Sequence, residues 1–414
     1  MRIGIVGTGI AGLVAARRLS ERHDVTVYEA NDYIGGHTHT VEVEDEGQRL
    51  AIDTGFIVYN ERTYPLFTKL LRQLGVATQP SDMSFSVSSE SGFLEYASSG
   101  LNAIFTQRRN LLRPSFHRML RDVLRFNREA RALLGSSEEK TSLGDYLCGA
   151  GYSQEFVDGY IVPMGAAIWS ASPATFLTFP AASFARFFHN HGLLDRSNPI
   201  PWRVVSGGSR RYVDALVAPL RDRIETGRPV LSVLRDRDGV DVITPSGQVD
   251  RFDRIVLAVH SDQALRLLDE PSHAELRVLS AVRFQENDAV LHTDRSLMPR
   301  RRRAWASWNY RRPESERDRV FVTYHMNRLQ GLAARNDYLV TLNGTDHIDP
   351  ARIRARFTYH HPVFDADAMA AQKLHQAIDG HRRTHYCGAW WGWGFHEDGV
   401  RSALAVCDRI ERSA

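Results

Sequence analysis

The residues that could do chemistry fall in four short stretches. The first is Gly7-Thr8-Gly9-Ile10-Ala11-Gly12, followed about 20 residues on by an acid, Glu29, and the small Ala30. Glycines at this spacing serve an anion. Gly7 permits a tight turn, Gly9 removes the side chain that would block a pyrophosphate, and Gly12 lets a helix and a strand pack closely. A helix starting here turns free N–H groups and the positive end of its dipole toward phosphates. Glu29 can accept hydrogen bonds from ribose hydroxyls. The second stretch is Gly35-Gly36-His37-Thr38-His39 and the third is Asp53-Thr54-Gly55-Phe56. The fourth, His396-Glu397-Asp398-Gly399-Val400, precedes a second helix. His39, His396 and Glu397 are the candidate catalytic groups, because imidazole and carboxylate can move a proton. Each could equally order a ligand or satisfy a loop.

These stretches need elements to position them. Arg2-Ile3-Gly4-Ile5-Val6 reads as a buried parallel strand, residues 13–19 as a helix and residues 25–28 as the next strand. The strand–turn–helix–strand context turns a weak glycine motif into a dinucleotide-binding fingerprint. A helix is predicted over 65–74. From Trp202 onward, Gly207-Gly208 precedes a helix over 212–220. Strands follow over 230–234, 240–244 and 252–259, with turns at Asp238-Gly239 and Ser246-Gly247. Ala258 ends its strand in a small residue, as a strand end beside a nucleotide would. Residues 385–388, through Gly388, read as a final strand, and a last helix is predicted over 400–410. Its start is a second place to receive negative charge.

Two further stretches stand apart. In 105–134, Phe116, Met119, Leu120, Val123, Leu124 and Leu134 recur near helical spacing, with arginines between them. This basic amphipathic pattern fits a solvated helix packed on a domain, the favoured reading, or a peripheral contact with an anionic membrane. In 160–194, Tyr160, Trp169, Phe176, Phe179, Phe184, Phe187 and Phe188 could line an apolar substrate pocket or form ordinary core.

The bulk numbers bound the rest. The 414 residues suffice for two or three domains, and 43% hydrophobic content is that of a globular protein. A net charge of +3 implies no nucleic-acid role. Cys148, Cys387 and Cys407 are far apart, which suggests neither a disulfide framework nor a metal site. No run of about 18 apolar residues occurs, and no signal peptide is read ahead of the first strand, so a cytoplasmic protein is expected.

Taken together, the chain resembles the flavin-containing amine oxidase and phytoene desaturase superfamily over nearly its full length. The wording GGHTHT, GFIVYN and GFHEDG is similar to a branch of bacterial proteins described as predicted NAD/FAD-binding proteins. The resemblance implies an α/β architecture: a Rossmann-type FAD-binding domain (1–80, 202–275 and 380–414) with an interleaved α+β substrate domain (81–201 and 276–379). It implies that Gly7, Gly9, Ile10, Ala11, Gly12, Glu29 and Ala30 hold the ADP half of a non-covalent FAD. Val230 would meet the adenine through its backbone, with Ala258 and Gly388 at nearby strand ends. Gly35, Gly36, His37, Thr38, Gly55 and Phe56 would lie along the pyrophosphate and flavin. Gly399 and Val400 would aim a helix N-terminus at the flavin N1–O2 edge. Two departures bear on the chemistry. His37 stands where the superfamily usually has arginine, and none of the three lysines (Lys69, Lys140, Lys373) lies in 280–345, where many amine oxidases carry one. The resulting expectation is an FAD-dependent oxidoreductase acting on an apolar or lipid acyl substrate with an unidentified electron acceptor. An amine oxidase and a redox-neutral double-bond isomerase are the alternatives. Trp390, Trp391 and Trp393 could wall the flavin or pack between domains.

Overall fold

In the structure, a computed structural model, residues 1–135, 141–195, 200–312 and 319–413 are described; Lys140 lies outside them. Strand β1 (Arg2–Val6) is buried from Ile3 onward, as a strand covered on both faces must be. It runs into helix α1 (Ile10–Leu19), whose last turn carries Arg17 and Arg18 at the negative end of its dipole. Strand β2 (Asp24–Tyr28) returns beside β1. The five-stranded parallel sheet has the order Ile224–Glu225, β2, β1, Arg254–Leu257, Thr384–Tyr386. Its strands therefore come from three widely separated parts of the chain.

The second large sheet has seven strands, in the order Ile353–Pro362, Phe284–His292, Leu339–Leu342, Val322–His325, Trp308–Arg312, Phe85–Ser89, Glu95–Ala97. All its pairs are antiparallel except Trp308–Arg312 with Phe85–Ser89. Helices between 114 and 190 pack beside it around a separate aromatic core.

Asp53 ties together segments far apart in sequence. It is fully buried at the end of the strand Gln48–Asp53. Its carboxylate accepts from Thr40 Oγ1 (2.6 Å), Ser209 N (2.9 Å), Ser209 Oγ (2.9 Å) and Gln330 Nε2 (3.2 Å). Burial pushes this carboxyl up to about 6 despite those donors.

Several sequence expectations are corrected. The strand expected over 252–259 is two: Val249–Phe252 closes a small antiparallel sheet and Arg254–Leu257 enters the parallel one. Asp253 makes the crossing, donating its N–H to Arg2 O (2.9 Å) and accepting from Arg2 N (2.7 Å). The strand expected from Val230 begins at Ser232. The last helix starts earlier than 400, spanning His396–Arg412. Leu124 points to solvent (64% exposed), while Phe116, Met119, Val123 and Phe126 form the buried face of the helix Pro114–Glu129. The aromatic set of 160–194 is mainly core: Phe176, Phe184 and Phe188 are buried and pack ring to ring with Trp169 or one another.

Candidate functional site

The glycine turn is held by sterics that only glycine satisfies. Gly7 has φ +101°, and a Cβ there would meet the carbonyl oxygen of Ala258 at 2.7 Å. A Cβ on Gly12 would lie 2.0 Å from Gly7 O and 3.2 Å from Ala258 Cβ, so helix and strand touch backbone to backbone. Around Gly9 a Cβ would find open space. What Gly9 leaves free is room beside the start of α1, which carries no side-chain cap. Glu29, at the end of β2, is buried and folds back over this turn: its carboxylate accepts from Thr8 N (3.0 Å), Thr8 Oγ1 and Asn31 N (2.9 Å). Backbone N–H groups of Gly227 and Arg228 bond to Asn31 O and Glu29 O, which brings the chain toward Val230 alongside.

The second and third stretches close on the first. Gly36 has φ +59°, and its Cβ would stand 3.1 Å from Gly9 Cα. Gly55 packs on the His37 carbonyl, where a Cβ would come within 2.1 Å, and Phe56 N donates to the same carbonyl at 2.8 Å. The fourth stretch arrives from the far end of the sequence. A Cβ on Gly399 would meet Ile10 Cγ2 at 2.7 Å. Two helix N-termini, one from each end of the sequence, thus sit side by side. Gly388 is tied in by Ser402, whose hydroxyl accepts from Gly388 N and contacts Gly388 O, each at 3.0 Å.

The three candidate catalytic groups occupy different networks. His396 is buried, stacked on Phe56 (3.5 Å between centroids), with Nε2 bonded to Tyr212 Oη (2.8 Å) and Thr38 Oγ1 (3.0 Å). Burial lowers its pKa well below the usual imidazole range, so it is neutral. His39 stacks on Tyr33 and bonds Tyr359 Oη through Nδ1 (3.1 Å). Glu397 is held by the main chain of a neighbouring helix. Its carboxylate accepts from Leu66 N and Phe67 N at 3.0 Å and so caps helix α2 (Pro65–Gln73). The tryptophans also divide. Trp390 is buried and donates to Val259 O (3.0 Å), while Trp393 stacks near Phe179 at the edge of the aromatic core.

Sequence reasoning missed a set of imidazoles around His37. His260 follows the parallel strand Arg254–Leu257, and His361 lies on the edge strand of the seven-stranded sheet; their rings are 6.2 and 5.4 Å from that of His37. Tyr359, on the same edge strand, is 5.2 Å away. Desolvation, then the neighbouring imidazoles, pushes His37 down to about 4 and His260 and His361 down to about 3. The seam between the two sheets is thus lined by neutral imidazoles and phenols. The signal was present in part, since His260 follows a strand end; the pairing with 359–361 needed the fold.

A family model for flavin containing amine oxidoreductase matches residues 10–335. The chain belongs to this family. A curated relative, 1-hydroxycarotenoid 3,4-desaturase of Flavobacterium sp. (strain P99-3), is 52% identical over 40 residues, 9% of this chain and 8% of that enzyme. Among solved structures, cyclohexylamine oxidase from Brevibacterium oxydans IH-35A is similar with TM-score 0.70 and 17% identity over 99% of both chains. A CLA-producing fatty acid isomerase from P. acnes is similar with TM-score 0.67 and 17% identity, over 99% of this chain and 98% of that one. This member of the flavin amine oxidoreductase family is an FAD-dependent oxidoreductase. Its glycine turn fits such a cofactor: the open space at Gly9, the uncapped start of α1 and the close approach of Gly36 make a cradle for a diphosphate.

Among the described residues, no helix is long and apolar enough to cross a membrane. No group of three or more His, Cys, Asp or Glu that could hold a metal occurs among them either.

Proposed function

We propose that this flavoenzyme removes hydride from, or shifts a double bond in, an uncharged apolar substrate such as a lipid acyl chain. The observation that carries the reading is the seam itself: the groups gathered there are neutral imidazoles, tyrosines and phenylalanines. Among the described residues no carboxylate hydrogen-bonds to His37, His260, His361 or Tyr359, so an alkylammonium entering among these rings would shed its hydration unpaired, a cost that a hydrocarbon chain does not bear. FAD supplies the redox chemistry. The chain's part is to bind it, exclude water and present the substrate. Gly7, Gly9, Ile10, Ala11, Gly12, Glu29 and Ala30 would hold the ADP half, with Val230 and Ala258 beside it. Gly35, Gly36, His37, Thr38, Gly55 and Phe56 would follow the diphosphate and flavin. Gly388, Gly399 and Val400 would set the second helix start against the flavin, where a positive dipole end favours the charge of the reduced ring. Residues 1–80, 202–275 and 380–414 would form this half, and 81–201 with 276–379 the substrate half. Attachment would be non-covalent: Cys387 and Cys407 are buried and burial pushes both thiols up, Cys407 to about 12.

The likeness to a fatty acid isomerase and the short match to a carotenoid desaturase both support an apolar substrate. The test is anaerobic incubation of the purified holoprotein with lipid extracts and, separately, with a panel of alkylamines. Flavin bleaching and a product two hydrogens lighter are expected with a lipid. A product of unchanged mass with a moved double bond, formed without an acceptor, would select isomerisation. Bleaching by amines alone, or no altered product across lipid classes, would overturn the reading.

A further inference from the structure

Apolar side chains exposed to water are scattered over most of this molecule, but in one place they cluster. Leu112 (88% exposed), Leu101 (76%), Phe93 (62%) and Leu111 (49%) all belong to the 91–113 region. They share one surface. The guanidinium of Arg113 stacks 3.7 Å over the Phe93 ring and donates to Phe93 O (2.8 Å). Arg109 donates to Gly92 O (2.7 Å) and Phe93 O (3.0 Å), fastening the 91–93 turn to the 3-10 helix Arg108–Leu112. Arg108 reaches back to Asn102 (3.2 Å), beside Leu101. Arg300 joins from another segment, donating to Glu90 O (3.0 Å) and lying against Gly92.

The charge on this surface is unbalanced. Among the described residues, Arg108, Arg109, Arg113 and Arg300 have no carboxylate partner; their bonds to main chain go to carbonyl oxygens, which orient a guanidinium without neutralising it. The neighbouring helix Pro114–Glu129 is the contrast. Its Arg118 pairs with Glu155 (2.7 Å) and its Arg125 with Glu129 (3.0 Å), so its basic stripe is largely cancelled. Leucine and phenylalanine tips ringed by fixed cations are complementary to one kind of surface, an anionic bilayer. There the arginines meet headgroup phosphates and the apolar tips enter the acyl boundary.

We propose that this face, built on Phe93, Leu101, Leu111 and Leu112 with Arg108, Arg109, Arg113 and Arg300, docks the enzyme on an anionic lipid bilayer. The inference does not depend on the substrate reading, since binding is measured without turnover. The test is co-sedimentation of the FAD-loaded protein with vesicles of phosphatidylcholine containing phosphatidylglycerol, against phosphatidylcholine alone. Partition onto the anionic vesicles is expected, weakened by high salt, which screens exposed charges. Each of Arg108→Gln and Arg109→Gln should lower the partition coefficient about fivefold. Leu111→Ser with Leu112→Ser should lower it further at unchanged flavin content. Arg118→Gln and Leu231→Ser should leave it unchanged. No partition of the wild-type protein, or equal losses from Leu231→Ser and Leu112→Ser, would overturn the proposal; the first result would leave the face to a protein partner.

Discussion

The two halves of the molecule are built by different rules. In the parallel-sheet half, the groups near the glycine turn are fixed by main chain: Gly7 under Ala258, Gly12 against Gly7, Gly36 against Gly9; Gly399 adds a contact with the Ile10 side chain. Removing a Cβ is what makes each approach feasible, and adding one is what would undo it. In the other half, positions are fixed by side-chain bulk. Trp169, Phe176, Phe184, Phe187 and Phe188 interlock around rings 4 to 6 Å apart. A backbone-defined site tolerates almost no change at a few positions. A packing-defined one spreads tolerance over many. The glycine turn should therefore fail abruptly and the aromatic core gradually.

The largest effect should come from Gly12→Ala. Its Cβ would fall 2.0 Å from a main-chain oxygen that cannot rotate away. A cost above about 3 kcal/mol is expected, and the protein should purify without the visible absorbance of a bound flavin. A yellow, stably folded Gly12→Ala protein would break the comparison at its strongest point. Next is Phe184→Ala in the aromatic core, where a fully buried ring is lost. About 3–5 kcal/mol of stability should go, read from denaturant unfolding, yet the flavin-to-protein ratio should hold. Loss of flavin together with stability would mean that the halves are not separable.

A smaller effect concerns pH. His260 and His361 are held near 3 and His37 near 4 by burial, while unfolded imidazoles titrate near 6.5. Between those values the unfolded chain binds more protons than the folded one, so stability should fall as pH falls from 6.5 toward 4. Melting temperature measured from pH 7 to 4.5 should show this slope, and His361→Asn should flatten it; parallel curves would count against the buried neutral cluster. The smallest effect is expected from Glu397→Gln. As the cap of α2, Glu397 should cost about 1 kcal/mol when its charge is removed, with turnover nearly intact. A fall of about a hundredfold or more in turnover would instead assign it to proton transfer.

What the sequence disclosed follows the same division. The glycine turn, Glu29 and the Gly35-Gly36 step were legible because each depends on residues close in sequence. The parallel strand at 2–6 and the helix at 65–73 were legible because burial leaves a periodic trace. The capping bonds of Glu397 were out of reach because its partners, Leu66 and Phe67, lie some 330 positions away. The break at Asp253 was hidden because the residues on both sides of it are strand and no glycine or proline marks the crossing. The imidazole cluster was out of reach for a further reason. His37, His260 and His361 come from a loop, a strand end and an edge strand of two different sheets, and no single period links them.

The side-by-side helix starts have a consequence for biosynthesis. Ile10 leaves the ribosome nearly 400 residues before its neighbour Gly399. At translation speeds of about 5–20 residues per second, that interval is roughly 20–80 s. Throughout it, α1 carries an apolar face that awaits the helix His396–Arg412. The helix beside the glycine turn is made long before the helix that covers it, and a nascent chain of this design must be kept from aggregating through that interval.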